Sequence, residues 1–270
     1  MTETLPPVLE TSTGDARTPV GRGRLLRGLL GNPLGAGSVA VLVVVMLCAV
    51  LAPALAPLDP NRADVGSILS GPSADHLLGT DGSGRDVLSR LLFASRLSLA
   101  AAFVVVLVAS VLGVSAGLLA GYYGKWFASV GRGVSSVLLA LPGLVVLLAA
   151  RTVIGPSLWG TMVVFGVLIT PAFYQLTAST VAAVRGELYV DAARVFGLSD
   201  ARILTRHILV VVRGPVIVLA ATVFGIAIAL QAGLDFLGLG DPSKPTWGAM
   251  LNSAFETLYW NIANWNLAAQ

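Results

Sequence analysis

Five apolar runs divide this chain, at about 39–58, 97–120, 134–150, 159–184 and 211–232. A hydrocarbon layer is about 30 Å thick and takes roughly 17–25 helical residues to cross. Runs of Val, Leu and Ala with no polar face cannot coat a soluble core. Lipid offers no partner to a backbone N–H or C=O, so each run must close its own hydrogen bonds as a helix. The expected fold class is all-α, a polytopic helical membrane protein with five visible spans. Charged residues make up 11% of the chain, against about 25% in a soluble domain.

The first run invites comparison with a secretory signal, with Ala54-Leu55-Ala56 as a cleavage site. It is longer than the roughly 7–15 apolar residues of such a signal, and Pro57 would follow the cut directly. An uncleaved first span is the better reading. The single cysteine, Cys48, lies within this run and can form no intrachain disulfide. The net charge of +3 is small and argues for asymmetry across a membrane rather than for nucleic-acid binding. Of the seventeen Lys and Arg, eleven fall on one side of the five-span topology and six on the other. The richer side is expected to be cytoplasmic. This gives a cytoplasmic tail over 1–36, a first span over 37–58, an extracytoplasmic segment over 59–96 and a membrane core over 97–270. That core holds a cytoplasmic segment at 185–210 and an outer segment at 233–270. The first 20 residues, rich in Thr, Gly and Pro, are expected to be disordered.

Residues 187–209 break the apolar pattern. Leu188, Ala192, Val195 and Phe196 recur at helical spacing, Gly197 is a stop signal, and Ser199-Asp200 is a second start. A short helix, a turn and a second helix feeding the last run are expected, a shape able to dock a soluble partner. Residues 76–92 read His-Leu-Leu-Gly-Thr-Asp-Gly-Ser-Gly-Arg-Asp-Val-Leu-Ser-Arg-Leu-Leu. Gly79, Gly82 and Gly84 permit tight turns, and Asp81, Arg85, Asp86 and Arg90 alternate in sign. From Asp86 onward the pattern fits an amphipathic interfacial helix. Gly113, Gly117 and Gly121 form a small-residue ridge that lets helices approach closely, within this chain by default or against a second one. Tyr122, Tyr123 and the tryptophans Trp247, Trp260 and Trp265 suit membrane interfaces.

The combination is specific. Asp191-Ala192-Ala193, then Gly197, then Ile208-Leu209 resembles the EAA coupling motif of ABC importer permeases, and the wider run 189–209 resembles the dipeptide/oligopeptide branch. Two departures stand out: Asp191 replaces the usual Glu, and Val210 the usual Pro. Without that Pro the start of the next helix is less sharply defined. Residues 76–90 resemble a second signature of the family. Residues 234–248 resemble a third, with Asp235 where Ser is usual, and Gly121-Tyr-Tyr-Gly resembles its turn. An Ala-Arg pair common near Gln175-Leu176 in related permeases is missing.

The resemblance implies the type I importer permease fold in a bacterial cytoplasmic membrane, multi-pass, with the N-terminus cytoplasmic. Six spans are expected for the family. Residues 251–270 are too polar for a convincing sixth, and whether the protein ends early or the sequence omits its end stays open. By the same resemblance, this subunit would form half of a translocation path for peptides. Its partners would be a second permease subunit, two cytoplasmic ATPase domains, an extracytoplasmic solute-binding protein and the lipid bilayer, with no nucleic acid. Coupling to the ATPases would fall to Tyr189, Asp191, Ala192, Ala193, Phe196, Gly197, Arg206 and His207, with His207 hydrogen-bonded in that region. The outer signature, Gly79, Asp81, Gly84, Arg85 and Asp86, is either a structural gatekeeping loop or a substrate contact. Tyr174, Gln175 and Thr177 either line the path or hydrogen-bond neighbouring helices. Nickel or haem import on the same scaffold is the alternative cargo, and a secondary transporter the alternative class.

No catalytic constellation is present. A phosphate-binding loop needs Gly, four residues, then Gly-Lys-Ser/Thr. Lys125 has Leu119 at the first glycine position, and Lys244 follows Ser243. No cofactor is therefore expected on this chain, and ATP and Mg would belong to the partner ATPases. His76 and His207 fall on opposite sides of the expected membrane and cannot share a metal ion.

Overall fold

The computed structural model describes residues 31–241 and 243–268, with side-chain surroundings through 258. The expectation for the first 20 residues lies outside the described residues, as do the side chains of Trp260 and Trp265. The chain divides into two compact units, 1–45 and 46–270. In the first, the described residues include the opening turns of α1 (Pro33–Leu55). There Val41, Leu42 and Val43 are exposed, and the Ser38 hydroxyl donates to the Leu34 carbonyl at 2.9 Å.

The spine of the second unit is α2 (Val87–Tyr123), 37 residues without a break. At 1.5 Å per residue it is about 55 Å long, well beyond the hydrocarbon layer. The expected interfacial helix at residue 86 is thus no separate element but the first turns of α2. Its two faces are cleanly sorted. Ala102, Val105 and Ala109 are buried, while Phe103, Leu107 and Val111 are exposed at four-residue spacing. In a bilayer that exposed stripe meets lipid at no cost, and the small-residue face is left for helix packing.

The glycine ridge continues the buried face against α5 (Leu158–Arg185). A Cβ on Gly113 would lie 2.5 Å from Phe173 Cβ, one on Gly117 2.6 Å from Thr177 Cβ, and one on Gly121 2.5 Å from Val181 Cβ. Gly166 of α5 returns the approach, its missing Cβ 2.8 Å from Val108 Cβ. The ridge therefore serves packing within this chain. Around it, Ala101, Val105, Leu147, Met162, Phe165, Phe173, Val223 and Ala227 form the main core.

The expected third span is not one helix. α3 (Lys125–Ala140) and α4 (Gly143–Ile154) meet at 83°. Pro142 causes the break, because a residue preceding proline is pushed out of the helical region. Leu141 accordingly sits at φ −83°, ψ 128°. Among the described residues four helices are long and apolar enough to span, or five if this bent pair is one span.

After α5 come α6 (Leu188–Val195) and α7 (Asp200–Ile203). A π-helical turn, Leu204–Ile208, then leads into α8 (Leu209–Leu234), and a second one, Asp235–Leu239, follows it. With Val210 in place of a proline, the chain stays helical from Asp200 through α8, until Gly238 leaves the helical region at φ +76°. α9 (Trp247–Ala268) is 22 residues long but too polar to count with the spans. The protein is an all-α polytopic membrane protein.

Candidate functional site

Two polar assemblies sit at opposite ends of α2. The first is the 59–86 segment. Residues 63 and 85, and 80 and 86, pair as short antiparallel bridges. Gly84 makes the tight return possible: it adopts φ +74°, and a Cβ there would collide with the Asp64 carbonyl. Asp81 Oδ1 accepts from the backbone N–H of Ser83 (2.9 Å) and Arg85 (3.0 Å). Its Oδ2 meets Arg85 Nε at 2.9 Å and Arg90 Nε at 3.5 Å. Arg90, 4% exposed, also donates to the Pro60 carbonyl at 3.1 Å. Asp81, Arg85 and Arg90 thus pair with one another around a loop that includes Gly79, at φ +77°. A cavity of about 350 Å³ lies beside them, lined by Leu69, Thr80, Asp81, Arg90, Met250 and Thr257.

Asp86 is the hinge pin of this end. It caps α2 by accepting from Ser89 N–H at 2.8 Å and pairs with His76 Nδ1 at 3.1 Å. Burial pushes its carboxyl up, but the hydrogen bonds from Ser89 and His76 outweigh this and hold it below the usual carboxylate range. A carboxyl depressed on folding stabilises the fold above the ordinary value near 4 and loses that contribution as pH falls through its own lower value. Hydrogen-exchange protection of residues 59–86 is therefore expected to hold from about pH 7 to about pH 5 and to fall below about pH 4. Asp86→Asn keeps the cap but should remove this part of the pH dependence.

The opposite end holds the 185–210 segment. α6 is two-sided. Val190 and Ala193 are buried, in a cluster with Tyr122, Val181, Ile203, Ile208 and Val212. Leu188, Val195 and Phe196 point away, exposed at 86%, 87% and 82%, and Tyr189 and Ala192 are exposed beside them. Asp191 and Arg194 pair at 3.1 Å on the rim. Gly197, at φ +74°, ends the helix. Arg206 is exposed. His207 is half-buried and, among the described residues, makes no side-chain hydrogen bond. Of the eight coupling candidates, Ala193 is thus spent on internal packing, while Leu188 and Val195 join the outward face.

Two contacts here carry no local signal in the sequence. The Tyr122 hydroxyl donates to Asp200 Oδ1 at 2.6 Å across 78 residues of chain, and the Arg194 guanidinium lies 5.4 Å from the Tyr122 ring centre. Tyr122, expected as an interface anchor, is instead 4% exposed inside the cluster. Trp247 likewise donates from its indole N–H to Ser95 Oγ at 3.2 Å, which fastens α9 to α2. Asp235, at the serine position of the third signature, is buried and accepts from Gln231 (2.9 Å) and Thr246 (2.6 Å).

The path candidates separate. Tyr174 is buried, its hydroxyl donating to the Ala128 carbonyl at 3.3 Å, and Thr177 packs on Gly117. Only Gln175 is exposed. The first two pack between helices, and Tyr174 also lines a cavity of about 240 Å³ with Leu119, Trp126, Val130 and Pro171. Among the described residues no group of three or more His, Cys, Asp or Glu could hold a metal ion.

Residues 113–263 match the family described as binding-protein-dependent transport system inner membrane component. The chain is 35% identical to the dipeptide transport system permease protein DppC of Alkalihalophilus pseudofirmus, over 83% of this chain and 74% of that one. It is 37% identical to the glutathione transport system permease protein GsiD of Pectobacterium atrosepticum, over 80% and 73%. Against the probable D,D-dipeptide transport system permease protein DdpC of Escherichia coli the figures are 36%, 84% and 77%.

Proposed function

The chain belongs to the binding-protein-dependent transport system inner membrane components and is a non-catalytic permease subunit of an ABC importer, and we propose that it carries short peptides and is driven through α6. The observation that carries the second part is the outward apolar face of α6. Leu188, Ala192, Val195 and Phe196 recur at four-, three- and one-residue steps on one side of a helix rimmed by Glu187, Asp191 and Arg194. Apolar side chains exposed beside charges beyond the end of a span face neither lipid nor a core of their own, and such a patch marks a docking surface. Its occupant is the ATPase subunit. ATP closure of the ATPase pair displaces α6, and Val190 and Ala193 pass the motion into the cluster that joins α2, α5 and α8. The bundle then alternates its opening between the two sides, because nucleotide binds one ATPase arrangement better than the other.

In this reading the 185–210 segment is cytoplasmic and the 59–86 segment extracytoplasmic, where it meets the solute-binding protein. The subunit shares the path with a second permease subunit. Peptide cargo is supported by the names of the relatives, which specify dipeptides, D,D-dipeptides and glutathione.

Reconstitution tests this directly. In liposomes holding the chain with its co-purifying ATPases and binding protein, radiolabelled alanyl-alanine is expected to accumulate only with internal ATP. Accumulation by this chain alone, driven by a proton gradient without nucleotide, would overturn the reading. Failure of alanyl-alanine alongside uptake of glutathione would correct the cargo and leave the mechanism.

A further inference from the structure

Among the described residues, Tyr122 is the one polar side chain buried in the cluster beneath α6. It shares that cluster with Val181, Val190, Ile203 and Ile208, yet its hydroxyl reaches out to Asp200 Oδ1 at 2.6 Å. Asp200 opens α7, directly after the turn that ends α6, and Arg194 of α6 lies over the same ring at 5.4 Å. One residue at the end of α2 thus contacts both short helices of the 185–210 segment. α2 in turn is locked to α5 over about two turns by Gly113, Gly117 and Gly121, where no side chain cushions the contact.

A hydrogen bond to a carboxylate is short, directional and about twice as strong as a neutral one. Apolar packing at this junction permits sliding, whereas the Tyr122–Asp200 bond fixes direction and register. We infer that Tyr122 is a positioning residue that latches the coupling segment to α2, so that α6, α7 and the end of α2 move as one body. This rests on the docking reading of α6.

The test uses the complete transporter with a Cys48→Ala background and spin labels on Leu119→Cys in α2 and Arg202→Cys in α7, both exposed positions. Distances are measured nucleotide-free and after vanadate trapping. With Tyr122 present, one narrow distance distribution is expected in both states. With Tyr122→Phe, which keeps the ring and loses only the hydroxyl, the two states should separate. Stimulation of ATP hydrolysis by the binding protein should then fall roughly fivefold or more, with the ATPases still bound. Asp200→Asn, which keeps an acceptor, should restore most of the behaviour that Asp200→Ala loses. Identical narrow distributions in Tyr122→Phe, or unchanged stimulation, would overturn the latch. So would loss of the ATPases from Tyr122→Phe, because that result would make the residue a structural support. Failure of the docking reading registers separately, as ATPases that stay bound when Leu188 and Phe196 are made acidic.

Discussion

Replacing Leu188 and Phe196 together by Glu should leave the subunit inserted and folded but strip it of its ATPase partners. Both side chains are more than four-fifths exposed and make no contribution to the cluster beneath them, so the subunit itself has little to lose. In the docked state each would bury an apolar side chain, and each is worth roughly 1.5–3 kcal/mol. A carboxylate left unpaired in that contact costs more. A combined loss above about 3 kcal/mol weakens association more than a hundredfold. Co-purification of the ATPases in mild detergent reads the effect, with membrane yield of the subunit as the control. Asp191→Arg should act in the same direction but less. Its partner is Arg194 on an exposed rim, and such surface pairs are typically worth under about 1 kcal/mol.

Gly117→Leu should damage the subunit itself. A Cβ at 117 would sit 2.6 Å from Thr177 Cβ and 2.8 Å from the Tyr174 carbonyl oxygen. The second contact is with backbone, which no rotamer change can relieve. α2 and α5 would have to separate along the ridge, with a loss of the contacts around Gly113 and Gly121 as well. Overpacking of a close contact costs roughly 1–3 kcal/mol, occasionally more, and here it acts on the two helices that organise the bundle. The thermal midpoint in detergent should drop by several degrees and the monodisperse yield with it. Gly133→Leu serves as the control, since beyond its own helical backbone nothing lies within 4 Å of a Cβ built there.

Much of this architecture is legible in the residues, because it follows from short-range rules. Apolar length calls for spans, Gly at every fourth position calls for close helices, and Gly197 with Ser199-Asp200 calls for a turn between two helices. The two-sided character of α6 is also visible, since Leu188, Ala192, Val195 and Phe196 share a face by spacing alone. What spacing cannot supply is which face turns inward. Ala193 belongs to a motif read as coupling, and only the position of α2 behind it shows it buried. The break in the third span was within reach: Leu141-Pro142 sits mid-run, and proline's effect on its predecessor is local. The Tyr122–Asp200 bond was not, because it joins residues 78 apart whose neighbours in sequence give no sign of each other. Tyr174 and Thr177 read ambiguously for a related reason. A polar side chain in a span reads the same whether it faces water or a glycine on the next helix.

The most direct test of the central claim, that α6 is the docking surface for an ATPase, is site-specific crosslinking in the assembled transporter. A short thiol-reactive photocrosslinker is placed at Phe196→Cys on the outward face and, separately, at Val190→Cys on the buried face, both in the Cys48→Ala background. Position 196 should give a crosslinked product containing the ATPase chain, with a yield that changes when nucleotide is added, and position 190 should give none. An ATPase product from position 190 alone, or none from either in a complex that turns over ATP, would contradict the account.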